Sequence, residues 1–493
     1  MIPLHRHRSA GAMPIAAGVV AAGVVAAALV LGLVALLRAG PPSRDAAAAA
    51  PDLALVGATL VDGTGAAPLE NAVVLIDGDR IACAGEASEC PVPVGVRTID
   101  LTGRWITPGL IDAHVHYSQT GWADGRPDAL DVRDRFPYPE TVAALEARPE
   151  RFHRAYLCSG VTAVYDVGGY PWTWDLPAAT EDDPEAPHVA AAGPLLSSVD
   201  HWVNVPAERQ FVHMASDSAA AAGTRYLVAN RTDAVKVWYL LRGDSDTTAL
   251  KSRIRSAAEI AEGADVPLIV HATGLWQAKD ALRAGADVLV HSVYENPVDE
   301  EFLALAREAG AFYVPTLVVF DGYAELRARS FDRSRYGEAF DCVDPETRRK
   351  ARLTDSIPGA DPADRLTAMR EALRRRRAVA DDNLIRVREA GIPIALGTDA
   401  GNPLTLHGPA IFLEAEAMEA AGLTPMQVVV AATRDAARAM GRGQDLGTVE
   451  TGKIADLVIL RADPTEGARN LRRIEAVVRA GTVHDRDDLR FDP

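Results

Sequence analysis

Lysine is nearly absent from this chain of 493 residues: of its 51 basic side chains, only Lys236, Lys251, Lys279, Lys350 and Lys453 are not arginine. Acidic residues number 68, and the resulting formal charge of -17 disfavours non-specific nucleic-acid binding, which needs clustered positive charge for counterion release. Cysteine is confined to Cys83, Cys90, Cys158 and Cys342, which make neither a zinc ribbon nor a disulfide-dense scaffold. Cys83 and Cys90 either pair across a short β connection, as an oxidising compartment permits, or pack as separate thiols. No G-x-S-x-G elbow is present, which argues against a serine hydrolase, and no glycine-rich dinucleotide fingerprint follows an early strand. The run Gly447–Lys453 has the spacing G-x-x-x-x-G-K, but Ile454 replaces the Ser/Thr that would meet magnesium and a strand-like run follows, so it reads as a turn.

What is present begins with a hydrophobic segment. Residues 1–11 carry Arg6 and Arg8 and no acid, and 26 uncharged, mostly apolar residues run from Ala12 to Leu37. That exceeds a secretory h-region of about 7–15 residues and fits an uncleaved signal anchor. The reading places the amino terminus inside and the catalytic body outside the cytoplasm, periplasmic or extracellular, although Arg38 and Arg44 weaken the charge rule. Cleavage near Ala46–Ala50, giving a secreted protein, is the alternative. Pro41, Pro42 and the alanine run make a linker, so residues 1–51 are read as anchor and linker.

The rest reads as α/β. DLALVGATLVDG, NAVVLIDGDRIACAG and VRTIDLTGRWITPG are β-branched runs closed by Gly and Asp turns, and ADLVILRADP and EAVVRAGTVHD near the other end look alike. They predict a composite β-sandwich domain built from residues 52–106 and 445–493. Between them, eight strand-like runs (110–116, 161–167, 188–193, 234–240, 267–272, 286–292, 312–319 and 393–399) alternate with helical stretches, predicting a (β/α)8 TIM barrel over 107–444; an open doubly wound sheet is the alternative, weakened by the missing dinucleotide fingerprint. A charged segment, about 321–390, precedes the eighth strand and is placed to cap the barrel mouth; its run Arg374–Arg377 reads as a solvated helix face.

His114 and His116 lie two apart at the end of the first of these strands, so both imidazoles share a face. His271, His291 and Asp399 close three other strands at the same end of a barrel, where such folds assemble their chemistry. Neutral imidazoles with a carboxylate suit zinc or a similar divalent ion. Lys236 sits in the apolar run AVKVWYL. As an ammonium it would be repelled by a cation, so a lysine here points to an amine that loses its proton and reacts, which arginine cannot do; a buried salt bridge is the plainer alternative.

These residues carry a resemblance. TPGLIDAHVH at 107–116, VKVW around Lys236, VHATG around His271, VLVHS around His291, LGTDAG around Asp399 and GTVETGKIADLVIL at 447–460 resemble the amidohydrolase superfamily, in particular its imidazolonepropionase-like and prolidase-like members. The resemblance spans about residues 52–485. It implies two divalent metal ions, zinc by preference. His114, His116 and Asp399 would hold one, His271 and His291 the other, and a carboxylated Lys236 would bridge them. It further implies amide hydrolysis by a metal-bridged hydroxide, with Asp399 as general base and then acid. Tyr239, at the same strand end as Lys236, is a candidate oxyanion donor, and His407 a candidate substrate contact. Trp172, Trp174 and Trp202 are candidates for an apolar subsite.

The expected substrate is a small molecule or short peptide, such as a dipeptide or an N-acyl compound. Hydrolysis of a cyclic amide, lactone or phosphoester by the same centre is the alternative, and a non-catalytic binding protein is disfavoured by the complete ligand set. The other expected partners are the membrane, through the N-terminal segment, and a second copy of the chain in a homo-oligomer.

Overall fold

Five short strands open the structure because apolar, β-branched runs are cut by Gly and Asp turns: β1 (Leu53–Leu60), β2 (Leu69–Asp77), β3 (Arg80–Gly85), β4 (Arg97–Asp100) and β5 (Trp105–Pro108). The structure is a computed structural model that describes residues 51–200, 210–241, 243 and 245–491. The anchor and linker, all but Pro51, and Trp202 lie outside the described residues. Among the described residues, no helix is long and apolar enough to cross a membrane. Strands β2 and β3 are joined tightly, with Asp77 opposite Arg80, and the turn is permitted by Gly78, whose φ is +58°.

The barrel strands follow as β6 (Leu110–Val115), β7 (Val161–Asp166), β8 (His188–Ala191), β9 (Leu195–Ser197), β10 (Phe211–His213), β11 (Val235–Trp238), β12 (Leu268–His271), β13 (Val288–Val290) and β14 (Phe312–Val314). Strands β6, β7 and β8 pair in parallel, as do β9, β11, β12, β13 and β14 in that order. The expected third strand, 188–193, is regular only over β8, and the unexpected β9 follows beyond Gly193, where a Cβ would lie 2.3 Å from the Trp174 ring. The two sheets are joined where the Asp233 N–H donates to the Ala191 carbonyl at 3.1 Å.

The expected eighth strand is only partly regular. Ala395 N–H donates to Tyr313 O (3.1 Å), Ala113 N–H to Leu396 O (2.9 Å) and Asp399 N–H to His114 O (2.8 Å), so the segment closes the ring between β14 and β6. Its ladder is interrupted because Thr398 N–H goes to the Asp112 carboxylate (2.9 Å) instead of a strand carbonyl.

Strands β15 (Leu457–Leu460), β16 (Ile474–Arg479) and β17 (Thr482–Asp485) return to the start of the chain. β15 pairs antiparallel with β5, Leu457 opposite Pro108, and the result is one eight-stranded sheet of order β17-β16-β15-β5-β1-β2-β3, with β4 on β1. The two chain ends thus share a continuous hydrogen-bonded sheet in place of two stacked ones. Leu55, Val74, Ile106, Leu457 and Val478 meet in one core, while Val458, Leu460 and Val477 on the alternate face join the barrel core. β5 runs through the expected domain border at 106/107, because it is the strand that stitches the sheet to the barrel.

The segment before the eighth strand folds as helices, including Val319–Ala328, Pro345–Leu353 and Ala363–Glu389. All four cysteines are paired, Cys83 with Cys90 and Cys158 with Cys342. The second bond ties the capping segment to the helix Glu150–Cys158 across a sequence separation of 184.

Candidate active site

Side-chain alternation along β11 decides what faces the barrel interior. Ala234 and Ile269 belong to the interior cluster, Val235 and Val237 to the outer core under the helices, so Lys236 and Trp238 face inward. On β6, His114 is followed by His116 just past the strand, and both reach Asp399: His116 Nε2 lies 2.9 Å and His114 Nε2 3.3 Å from its Oδ1. Suitable ligand atoms of these three residues all fall within 4.8 Å of one another. His291 Nδ1 is 3.9 Å from Asp399 Oδ2, and the His271 and His291 rings are 4.4 Å apart. All five expected nitrogen and oxygen ligands and Lys236 therefore converge at one end of the barrel and line a cavity of about 440 Å³.

Two backbone distortions aim these groups. His291 and Asp399 adopt φ of +71° and +62°, a left-handed conformation that costs roughly 1–3 kcal/mol in a non-glycine residue and is held here by Val314 and His114 carbonyls. The His116 Nδ1 donates to the Gly168 carbonyl at 2.7 Å, which leaves the Nε2 lone pair directed at the site. Asp112, beneath, accepts from the Thr398 hydroxyl at 2.6 Å and from the His114 N–H at 3.3 Å, locking β6 to the eighth segment.

Burial sets the charge states. It lowers His114 and His271 to about 3 and His291 well below the ordinary range, so these three imidazoles are neutral at pH 7. Burial also raises Asp399, but His114 and His116 outweigh it and keep the carboxylate ionised. Lys236 is brought down to about 7 by burial, against the pull of Asp399. Its Nζ is buried without a hydrogen-bond partner among the described residues, as is His114 Nδ1. Neutral imidazoles beside an ionised carboxylate, with a buried amine that has no hydrogen-bond partner among the described residues, fit a divalent-metal site.

A family model described as "Amidohydrolase family" matches residues 105–484. The chain belongs to the amidohydrolase family. It is 27% identical over 441 residues to the imidazolonepropionase of Methylobacterium sp. (strain 4-46), covering 82% of this chain and 90% of that protein. A solved Xaa-Pro dipeptidase shares its fold with TM-score 0.64 at 22% identity, covering 88% of this chain and 99% of that one. The solved molinate hydrolase gives TM-score 0.64 at 22% identity, covering 90% and 96%. These likenesses agree with a barrel plus a β-domain. The amidohydrolase is a metal-dependent hydrolase acting on carbon–nitrogen bonds.

Two expected site residues lie elsewhere in this amidohydrolase. Tyr239 points away from the cavity to pack against Trp276, ring centroids 5.7 Å apart, because it is an odd number of residues from Lys236 along the strand direction. His407 is buried behind the cavity, with Nδ1 2.7 Å from the Tyr156 hydroxyl and Nε2 2.9 Å from the Gln119 carbonyl; both nitrogens are used, leaving none for substrate. Trp172 and Trp174 pack on the barrel core, and the aromatic wall of the cavity is Trp238 stacked on Phe211, 5.0 Å apart.

Asn402, Arg126 and Tyr323 line the cavity and are absent from the expected set. Asn402 lies three residues beyond Asp399, a spacing that could have drawn attention to it. Arg126 and Tyr323 carry no such signal.

Proposed function

We propose that this amidohydrolase cleaves the amide bond of a small molecule, an N-acyl compound or a dipeptide, at a centre of two divalent metal ions, zinc by preference. His114, His116 and Asp399 would hold one ion, His271 and His291 the other, and a carboxylated Lys236 both. The observation that carries the reading is the buried, unpartnered Lys236 amine, brought to about 7 among neutral imidazoles and an ionised carboxylate. An amine with a substantial neutral fraction near pH 7 can add to carbon dioxide, which exchanges a repelled cation for an anionic oxygen ligand.

When bound, the ions supply Lewis-acid polarisation of the scissile carbonyl and a lowered pKa for water. Asp399 takes a proton from the attacking water and returns it to the departing nitrogen. Its Oδ1 accepts from Asn402 Nδ2, which fixes the plane of the carboxylate. Trp238 and Phe211 form a wall that excludes bulk water and favours an apolar group beside the scissile bond.

We also propose that the catalytic body lies outside the cytoplasm, tethered by the apolar segment 12–37. The pairing of all four cysteines supports this, since such bonds persist in oxidising compartments.

The test is metal analysis of the purified protein together with a hydrolysis screen over dipeptides, N-acyl amino acids, lactones and phosphotriesters. Two zinc equivalents and turnover of amides are expected. Full activity in protein freed of metal would overturn the proposal.

A further inference from the structure

Among the described residues four arginines are buried: Arg151, Arg348, Arg479 and Arg486. Three of them have a carboxylate within 4.0 Å, Glu346 at 3.0 Å from Arg151, Asp341 at 3.9 Å from Arg348 and Asp456 at 4.0 Å from Arg479. Arg486 has none among the described residues, although it is only 5% exposed. Its Nε donates to the Cys158 carbonyl at 3.2 Å, at the C-terminal end of the helix Glu150–Cys158. That contact uses one of its five N–H groups. Nη1 and Nη2 make no hydrogen bond among the described residues, and neither is sealed from solvent. Burial, and after it the neighbouring Arg490, bring the group down to about 10, as expected of a buried cation that lacks a counter-charge. A charge buried without a partner is costly, so an unpaired buried guanidinium marks a place for an anion.

The terminal amino groups of Arg486 open onto a cavity of about 500 Å³ that shares no lining residue with the metal site. Five arginines line it against two glutamates. Two of the five are committed: Arg335 binds Asp321 and Glu325, and Arg472 binds Glu416 at 2.5 Å. Arg469 and Arg473 are exposed and make no ion pair or side-chain hydrogen bond among the described residues. Glu338, the other acid, is exposed and makes none either. Three unpaired guanidinium groups thus stand against one unpaired carboxylate. Topology gathers them. Strands β16 and β17 are antiparallel with Ala476 opposite Asp485, so Arg473, just before β16, and Arg486, just after β17, leave the same end of one hairpin. Arg469 and Arg472 lie three apart on the 3-10 helix Ala468–Arg472, where such residues eclipse, so Arg469 stands directly behind the start of that hairpin.

We propose that this cavity binds a phosphate group, with Arg486 as the direct contact and Arg469 and Arg473 supplying positive potential around it. A phosphate dianion pairs with the guanidinium fork in a bidentate fashion and brings a second charge for the flanking arginines. A carboxylate would satisfy the fork and leave those arginines uncompensated. Residues 334–339 of the capping segment line the same cavity, so an occupant ties that segment to the C-terminal strands. The inference does not depend on the metal or substrate reading above.

The test uses the full-length, zinc-loaded protein, by calorimetry and thermal unfolding at about pH 8, where phosphate is a dianion. Inorganic phosphate, glycerol 3-phosphate and acetate are compared at matched ionic strength in wild type, Arg486→Gln and Arg469→Ala/Arg473→Ala. We expect phosphate to bind and to raise the unfolding temperature, and acetate to bind at least about tenfold more weakly. Arg486→Gln should weaken phosphate at least about tenfold with zinc content retained. The double variant removes only exposed groups; it should weaken phosphate about threefold or more, and it decides the matter if Arg486→Gln does not fold. Equal affinity in wild type and Arg486→Gln would place the anion on the metal centre and overturn the proposal. So would acetate binding as tightly as phosphate, or unchanged affinity in the double variant. Glycerol 3-phosphate binding as tightly as phosphate upholds the site for esterified phosphate, lipid headgroups included, and a clear preference for inorganic phosphate upholds it for the free anion.

Discussion

The side-chain amide of Asn402 donates to Asp399 Oδ1 at 2.6 Å, and its orientation is fixed from the opposite side. Its carbonyl oxygen accepts from the Tyr323 hydroxyl at 2.6 Å and from Arg126, so the amide cannot flip without losing both. Asn402→Ala should lower kcat on the order of tenfold, with KM and zinc content little changed, because the carboxylate loses its orientation and keeps its ligand atoms. Steady-state kinetics and metal analysis check this together; a loss confined to KM would contradict it.

Lys236 presents a different dependence. Lys236→Ala should release metal and activity together, with partial recovery on adding short-chain carboxylic acids, which can occupy the vacated volume. Lys236→Arg should not recover, since arginine stays protonated and cannot be carboxylated. Zinc content and activity with and without propionate decide the matter, and wild-type metal content in the alanine variant would refute the bridging role.

Tyr239→Phe should leave kcat/KM within about twofold of wild type, because the ring faces Trp276 and its hydroxyl is buried without a hydrogen-bond partner among the described residues. A fall of more than about a hundredfold would place the hydroxyl in the reaction after all, as loss of an oxyanion donor costs on that order.

Removing the bond between Cys158 and Cys342 should destabilise the protein by about 2–5 kcal/mol, since it closes a long loop. Urea unfolding of a Cys158→Ala/Cys342→Ala variant measures it. An unchanged midpoint would mean that the capping segment is held by packing alone.

The pH dependence has a definite sign. Burial lowers His407 to about 3 and His153 to about 4, against 6.5 for an ordinary imidazole. Between those values the unfolded chain binds protons that the folded chain refuses, so their contribution is complete above pH 6.5 and is lost as pH falls toward 4 and 3. Each should cost on the order of 1 kcal/mol per pH unit in that window, read from unfolding curves at pH 7, 6 and 5. A stability that rises on acidification over this range would contradict the burial of both rings.

Much of the candidate site was legible because its signals are local. A strand alternates sides every residue, so His114 with His116 and the strand-end positions of His271, His291 and Asp399 already imply a shared direction once a barrel is assumed. The same rule, applied to Lys236 and Tyr239, separates them, and the structure does place Tyr239, just past the end of β11, in the outer core while Lys236 lines the cavity. His407 failed for another reason: a histidine close in sequence to Asp399 can be consumed by neighbours from distant segments, here Tyr156 and the Gln119 carbonyl.

By itself, then, the sequence determined the class of chemistry, because ligand identity and strand periodicity are properties of short stretches. It also settled the alternation of eight strands with helices and the shared β character of the two chain ends. Only the tertiary structure decided that the two ends form one continuous sheet, that Cys158 meets Cys342, and that Asn402 is held by Arg126 and Tyr323. Each of these joins residues far apart in the chain, and their meeting depends on how the barrel closes and how the capping helices pack across its mouth.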